Sequence, residues 1–396
     1  MDSITGRIRV GIIGIGNMGT GHARSFLEGR CPEFTLTAAA DTNPERIEWA
    51  KANLTPDIAY FDDALQMLDS GRIDACMVCV PHYDHPRYAI ECMRRGLHVM
   101  VEKPAGVYTR QVREMNEEAD RHPDVVFGMM FNQRTNCLYR RMRELVRSGR
   151  YGRIRRTNWI ITDWYRPQAY YDSGAWRATW AGEGGGVLLN QCPHQLDLWQ
   201  WICGMPKRVQ AHLSYGLWHD IEVEDDVTTF VEYENGATGV FVTTTGDAHG
   251  TNRFEIQMDG AKLVAEDGRL KLLEYEQLEP EWTKTNTASF ATVPCREVEV
   301  ELDGENPQHV GVINAWGGAI LRGEPLVADG REGIQGLTLS NAMHLSAFRG
   351  RAVEIPFDED AFYDELMRRA ATSRYGARKA AKAVFSDVSG TYGGNR

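Results

Sequence analysis

The sequence predicts an α/β chain: an N-terminal doubly wound parallel sheet, then a second α/β domain with a large open, mostly antiparallel sheet. Three observations predict this. A strand pattern, Ile8-Arg9-Val10-Gly11-Ile12-Ile13, runs straight into a glycine-rich turn and a helical pattern through Ala23, Phe26 and Leu27. Apolar strands then alternate with helices to about residue 130, as in a parallel sheet covered on both faces. From Val209 to about Leu302, strand follows strand with turn residues between them. The 396 residues suit two or three domains at about 100–200 residues each.

The first turn reads Gly14-Ile15-Gly16-Asn17-Met18-Gly19. Its first glycine permits a tight strand-to-helix turn, and its second lets the backbone approach a pyrophosphate. The third lets the helix pack close to the strand. In a strand–turn–helix setting this predicts a Rossmann dinucleotide site. The next strand, Phe34 to Ala40, ends at Asp41, which lies 22 residues after Gly19. That is the offset of the acid that binds the adenosine ribose diol, so NAD is expected over NADP. Arg46, one turn on, keeps NADP as the lesser alternative. Asn43 then caps a helix with Pro44 at its first position.

A helix at 62–68 precedes the strand Ala75 to Val80. Cys76 and Cys79 fall inside that strand, three residues apart and so on opposite faces, which argues against a metal or redox pair. Pro81 and His82-Tyr83-Asp84-His85 lead into a helix ending near Gly96. His98-Val99-Met100-Val101 then runs into Glu102-Lys103-Pro104. A helix from Arg110 to Ala119 and a strand from Val125 to Met130 complete about six strands. The nucleotide domain is expected over residues 1–131, a substrate and oligomerisation domain over 132–357, and a C-terminal helix and tail over 358–396.

Beyond it lies a run from Gly184 to Asp197, Gly184-Gly185-Gly186-Val187-Leu188-Leu189-Asn190-Gln191-Cys192-Pro193-His194-Gln195-Leu196-Asp197. Taken with the glycine turn, with Pro81 and His85 after the fourth strand, and with Glu102-Lys103-Pro104, this makes a chain that resembles the Gfo/Idh/MocA oxidoreductases over residues 6 to 357. The resemblance implies a Rossmann domain joined to an α/β domain with an open sheet. It implies that Pro81, His85, Glu102, Lys103 and Asn132 lie at the cofactor, with Gly14, Gly16, Asn17, Met18, Gly19 and Asp41. It places Asn132 and Arg134 on the nicotinamide side. It also implies that the sheet's exposed face packs on another subunit, giving a homodimer or homotetramer.

The chemistry of the residues points the same way. Lys103 ends a parallel strand, where ligands of open α/β sheets bind, and an ammonium there polarises a substrate oxygen. His194 is the stronger candidate to take an alcohol proton, because imidazole titrates near neutrality. Asn190, four residues earlier, would share its helix face. Asp197 would orient the ring or cap a neighbouring element. The family pattern has aspartate where this chain has Asn190, and glycine at Cys192. An amide cannot ionise, so Asn190 is assigned to orientation, and proton transfer to His194 and Lys103.

From Trp159 to Trp180 the chain carries Asp163, Trp164, Tyr165, Arg166, Tyr170, Tyr171, Asp172, Trp176 and Arg177. Aromatic faces with donors between them suit a pyranose, and Arg166 and Arg177 suit an anionic substituent. The expected substrate contacts are Lys103, Arg134, Trp164, Arg166, Arg177, Asn190 and His194. The arginine-rich helix Leu138 to Arg147 reads as a solvated face, and a helix starting at Asn306-Pro307-Gln308-His309 as one that reaches the site. The expected activity is NAD-dependent oxidation of a secondary alcohol, at carbon 3, of a pyranose sugar, glycoside or cyclitol. The alternative is an NAD-dependent glycoside hydrolase that oxidises transiently. A net charge of −11 argues against nucleic acid and against anionic lipid surfaces. No apolar run reaches membrane-helix length. Cysteine usage suggests a reducing, cytoplasmic compartment. No metal is expected.

Overall fold

In a computed structural model, residues 6–55 and 57–375 are described. Among them the first half alternates strand and helix: β1 (Ile8–Ile13), α1 (Asn17–Leu27), β2 (Phe34–Ala40), α2 (Pro44–Asn53), β3 (Ala59–Phe61), α3 (Ala64–Asp69), β4 (Ala75–Val78), α4 (His85–Arg94), β5 (His98–Val101), α5 (Thr109–Arg121) and β6 (Phe127–Met129). The six strands form a parallel sheet in the order β3-β2-β1-β4-β5-β6. Strand order reverses between β1 and β4, and the crevice at such a switch point is where nucleotides bind. Short β3, three residues long, carries no periodic signal of its own. The Asn43 side chain accepts from Glu45 N–H and caps α2, with Pro44 at its start as expected. Cys76 joins the apolar layer on one side of the sheet and Cys79 packs against the layer on the other. No metal-binding group of His, Cys, Asp and Glu occurs among the described residues.

The second domain holds α6 (Cys137–Arg147), β7 (Ile154–Ile161), α7 (Gln168–Asp172), α8 (Pro193–Cys203), β8 (Arg208–Tyr215), β9 (Glu224–Glu232), β10 (Thr238–Thr244), β11 (Asn252–Met258), β12 (Ala261–Glu266), β13 (Arg269–Tyr275), α9 (Glu279–Thr285) and β14 (Cys295–Glu299). Then come α10 (Gln308–Arg322), α11 (Gly333–Arg349), β15 (Val353–Glu354) and α12 (Glu359–Ala370). Nine strands order as β14-β13-β12-β11-β7-β10-β9-β8-β15, antiparallel except for the parallel pair β7 and β10. The sequence reading gave β7 no strand; two arginines in its first half break the apolar pattern, yet Thr157, Trp159 and Ile161 alternate inward. Trp159 stacks on Phe254 at 4.3 Å and Trp199 on Phe241 at 5.4 Å, which joins α8 to the inner face of the sheet. The β9–β10 turn at Asn235-Gly236 is not the type I′ turn common in tight hairpins. Gly236 has φ 84° while Asn235 keeps negative φ, and Gly236 N–H donates to the Tyr233 carbonyl, so a single left-handed glycine follows an ordinary turn.

α10 leaves the second domain and packs on the first. Its Trp316 stacks on Phe34 at 5.2 Å, with Val312 and Ile313 in the same apolar layer as β1. Next, Met129 N–H donates to the Ala328 carbonyl, and Gly128 bridges Asp329, so the chain adds to the β6 edge. The expected boundary at 131 therefore marks where the strands of the first sheet end, but residues 308–329 belong physically to that domain. Of the helix and tail expected over 358–396, residues 376–396 lie outside the described residues.

Candidate active site

The glycine turn has the close approaches its sequence implies. Gly14 has φ 95°, and a Cβ on Gly19 would sit 1.9 Å from the Gly14 carbonyl oxygen. A Cβ on Gly16 would meet only the Arg46 guanidinium, at 3.2 Å. Asp41, at the end of β2, is drawn onto the turn: one carboxylate oxygen accepts from Ile15 N–H at 2.8 Å, the other from Asn43 N–H at 2.8 Å. Arg46 lies 3.6 Å from the same carboxylate. Asn17 and Met18 open α1. This cradle, at the switch point of a parallel sheet, fits a dinucleotide. Asn132 fits as well. It is fully buried, its amide N–H donates to the Gln308 side chain, and its amide oxygen has no partner among the described residues. Such a buried acceptor suits a ligand amide.

The loops after β4 and β5 meet through a cis Lys103-Pro104 bond and His85. Pro81 leads into the short turn His82–Asp84. The buried His85 ring lies 2.6 Å from the Pro104 carbonyl and 2.7 Å from the Val80 carbonyl. Its cofactor assignment is therefore corrected: both ring nitrogens are spent on backbone, and the ring ties the two loops together. Glu102 is likewise turned inward, its carboxylate 2.6 Å from His22 Nε2 of α1. Burial pushes the Glu102 carboxyl up, but His22, His309 and Lys103 together bring it down to about 2. His22 and His309 face each other at 5.5 Å. Their presence beside Lys103 was not foreseen, apart from the helix start at His309.

Lys103 Nζ donates to the Asn190 backbone carbonyl at 3.0 Å. His194, on the first turn of α8, is buried. Burial, then the charges of Lys103 and His309, hold its pKa well below the ordinary value, against the pull of Glu102. Asn190 precedes α8, which begins at Pro193, so the shared helix face expected for Asn190 and His194 does not exist. The site brings the two to Lys103 by a turn instead. The Asn190 side chain donates to the Glu183 carboxylate and accepts from Tyr170 O–H at 3.2 Å. Arg177 donates to Tyr170 Oη at 3.0 Å. Glu183 is buried, and was not singled out from the sequence.

Two other expectations are corrected. Arg134 is buried in a bidentate pair with Asp197, 2.7 Å for each bond, and also reaches Glu332 at 2.6 Å. Its guanidinium is committed to holding α8, and the Asp197 carboxylate to Arg134 and the Gln200 side chain. Of the aromatic stretch, Trp159, Tyr171 and Trp180 are core residues. Trp164 is also buried, with Arg166 5.6 Å from its ring centre. What remains at the site is Tyr170, with the Arg166 and Arg177 guanidiniums 5.3 and 4.7 Å from its ring centre, and Trp176 against His82.

Residues 8–129 match the oxidoreductase family with an NAD-binding Rossmann fold, and residues 139–264 match the GFO/IDH/MocA C-terminal domain. Over 353 residues the chain is 24% identical to the myo-inositol 2-dehydrogenase of Thermotoga maritima, covering 88% of this chain and 98% of that one. It is 29% identical over 249 residues to the D-glucoside 3-dehydrogenase of Escherichia coli, covering 58% and 68%. Among solved structures, the WlbA dehydrogenase of Chromobacterium violaceum, in complex with NADH and UDP-GlcNAcA, superposes with a TM-score of 0.77 at 28% identity, covering 90% of this chain and 99% of that one.

Proposed function

Because this chain belongs to the Gfo/Idh/MocA family of NAD-binding oxidoreductases, we propose that it oxidises a secondary alcohol, at carbon 3, of a pyranose sugar, glycoside or cyclitol. The observation that carries this reading is the convergence of Lys103 and Asn190, with His194, outside the carboxyl ends of the parallel strands. NAD, when bound, supplies the hydride acceptor. The hydroxyl proton goes to His194, whose burial beside Lys103 favours the neutral imidazole before transfer. The Lys103 ammonium stabilises the oxygen as negative charge builds on it. The carbinol carbon loses hydride, the oxygen loses a proton, and a ketone results.

The relatives support a sugar or cyclitol ring as substrate. The D-glucoside 3-dehydrogenase supports carbon 3, and the WlbA complex supports a uronate. Arg166 and Arg177 beside Tyr170 suit such a carboxylate, because an acidic protein needs local guanidiniums to hold an anion. A redox-neutral hydrolase is the second reading, favoured by the amide at Asn190. There the ketone acidifies the neighbouring C–H, the aglycone leaves, water adds and the ketone is reduced back.

The deciding assay follows NADH at 340 nm beside aglycone release, using aryl glucosides and their uronate, 6-phosphate and 6-sulfonate counterparts. Net NADH is expected. Release without net NADH means the hydrolase, and neither signal defeats both readings. If the neutral compound has the highest kcat/KM and Arg166→Ala leaves that order unchanged, the substrate is not anionic. The outward Ile160 and Phe230, 42% and 41% exposed on the open sheet, favour a homodimer or homotetramer. Free cysteines throughout the described residues suit a reducing compartment.

A further inference from the structure

Seven residues before Asn190 the chain carries a buried carboxylate with two donors on it. Glu183 Oε2 accepts from Ala178 N–H at 2.5 Å, and Oε1 accepts from the Asn190 side-chain amide. The surrounding loop is fixed independently. Gly184 N–H donates to the Thr179 carbonyl, and Gly186 N–H and Leu188 N–H donate to Glu224. Glu183 therefore has little freedom to move away from Asn190.

An amide side chain has a donor end and an acceptor end that occupy nearly the same volume. Packing alone does not choose between them; hydrogen-bond chemistry does. Burial raises the Glu183 carboxyl, while the Arg177 charge, Ala178 N–H and the Asn190 amide favour its ionised form, which only accepts and so faces the NH2 end. The oxygen end then points to Tyr170, whose O–H donates to it, next to Arg177 and Gln191 on the same hydroxyl. The Asn190 backbone carbonyl, meanwhile, accepts from Lys103.

We propose that Glu183 is a positioning residue for the dehydrogenation: its carboxylate locks the Asn190 amide so that the site presents a hydrogen-bond acceptor, not a donor, on the Tyr170 side beside Lys103. An aspartate at position 190 would present an acceptor whichever way it turned. An asparagine does so only when its two ends are held apart, here by the Glu183 carboxylate on one side and the Tyr170 hydroxyl on the other. The carboxylate absent from position 190 is thus supplied from one layer deeper, where it fixes geometry and takes no part in proton transfer. This rests on the dehydrogenase reading for its kinetic consequence, but not for its structural one.

The test is a swap. Glu183→Gln keeps size and shape but has its own donor, so Asn190 can turn over; kcat should fall about 10- to 100-fold, as for a reacting group held out of line, with NAD affinity unchanged. Asn190→Asp with Glu183→Gln restores a fixed acceptor, since the glutamine NH2 now donates to the aspartate. Its kcat should return to within about threefold of wild type. A merely structural role would lower melting temperature in both and give no rescue. Wild-type kcat and KM in Glu183→Gln, or a double variant no faster than Glu183→Gln, overturns the proposal. If Glu183→Gln folds poorly, the double variant still decides, by recovery or its absence.

A substrate-free readout separates the two failures. In NAD-loaded protein with ¹⁵N-labelled asparagine, one side-chain NH2 proton should be shifted downfield by the carboxylate, and vanish in Glu183→Gln and in Asn190→Asp. If that signal is present but the wild type oxidises no pyranoside, the dehydrogenase reading fails alone. If the enzyme turns over without that signal, this inference fails alone.

Discussion

In the proposed dehydrogenation, Lys103 and His194 divide the work of one proton and one charge. Lys103→Ala and His194→Ala should each lower kcat by about 10²–10⁴, the usual range for lost acid–base groups, and leave NAD affinity nearly unchanged. Steady-state kinetics beside NAD titration checks this; either variant at near wild-type turnover removes that residue from the proton path. In the same reading Asp41 acts on the cofactor instead. Two backbone N–H groups already hold its carboxylate in place, so Asp41→Ala should weaken NAD and narrow its margin over NADP, leaving Arg46 as the nearest charge. Glu102 makes a prediction about acid. Its carboxyl is depressed from 4.5 to about 2, so the stabilisation is full above pH 4.5 and is lost as pH falls towards 2. That shift corresponds to roughly 3 kcal/mol. Urea melts of Glu102→Gln across this window should be visibly flatter with pH than those of wild type.

At the scale of elements, legibility followed locality. The glycine turn and the Asn43-Pro44 cap were readable because each carries a local pattern, and Asp41 because it falls at a fixed offset from the glycine turn. β7 was hidden because its arginines lie on the outward face and interrupt the apolar run that usually marks a strand. Asn190 and His194 were rightly associated but for the wrong geometric reason, since Pro193 starts α8 between them. Glu183, His22 and His309 were missed because a lone acid or histidine carries no local pattern, and their partners come from other elements. Arg134 was misread for the same reason: nothing nearby in sequence announces Asp197. Its true role predicts a stability effect. Asp197→Ala leaves a buried guanidinium short of its main partner and should cost about 3–5 kcal/mol, whereas replacing both residues with apolar ones of similar size should cost much less. Denaturant midpoints of the three variants would show the difference.

At the scale of the whole molecule, the open sheet presents apolar side chains on its outer face while helices cover the inner one. If that face joins subunits, Phe230→Glu with Ile160→Glu should shift the sedimentation coefficient to that of a single chain, with the NAD site intact. An unchanged coefficient would mean that subunits associate elsewhere or not at all.

The return of α10 to the first domain also orders events during synthesis. Phe34 is made early, yet the tryptophan that covers it, Trp316, is made more than two hundred residues later. The β6 edge likewise waits for Ala328 and Asp329. As the chain leaves the ribosome, the nucleotide domain thus has its whole parallel sheet but lacks the part of one apolar layer that Val312, Ile313 and Trp316 supply. Domains that normally fold as they emerge are here made to wait. A fragment ending at residue 131 would keep Phe26 against Phe34 but lose Trp316, Val312 and Ile313 from the same layer, and should be less stable than the domain in the whole chain.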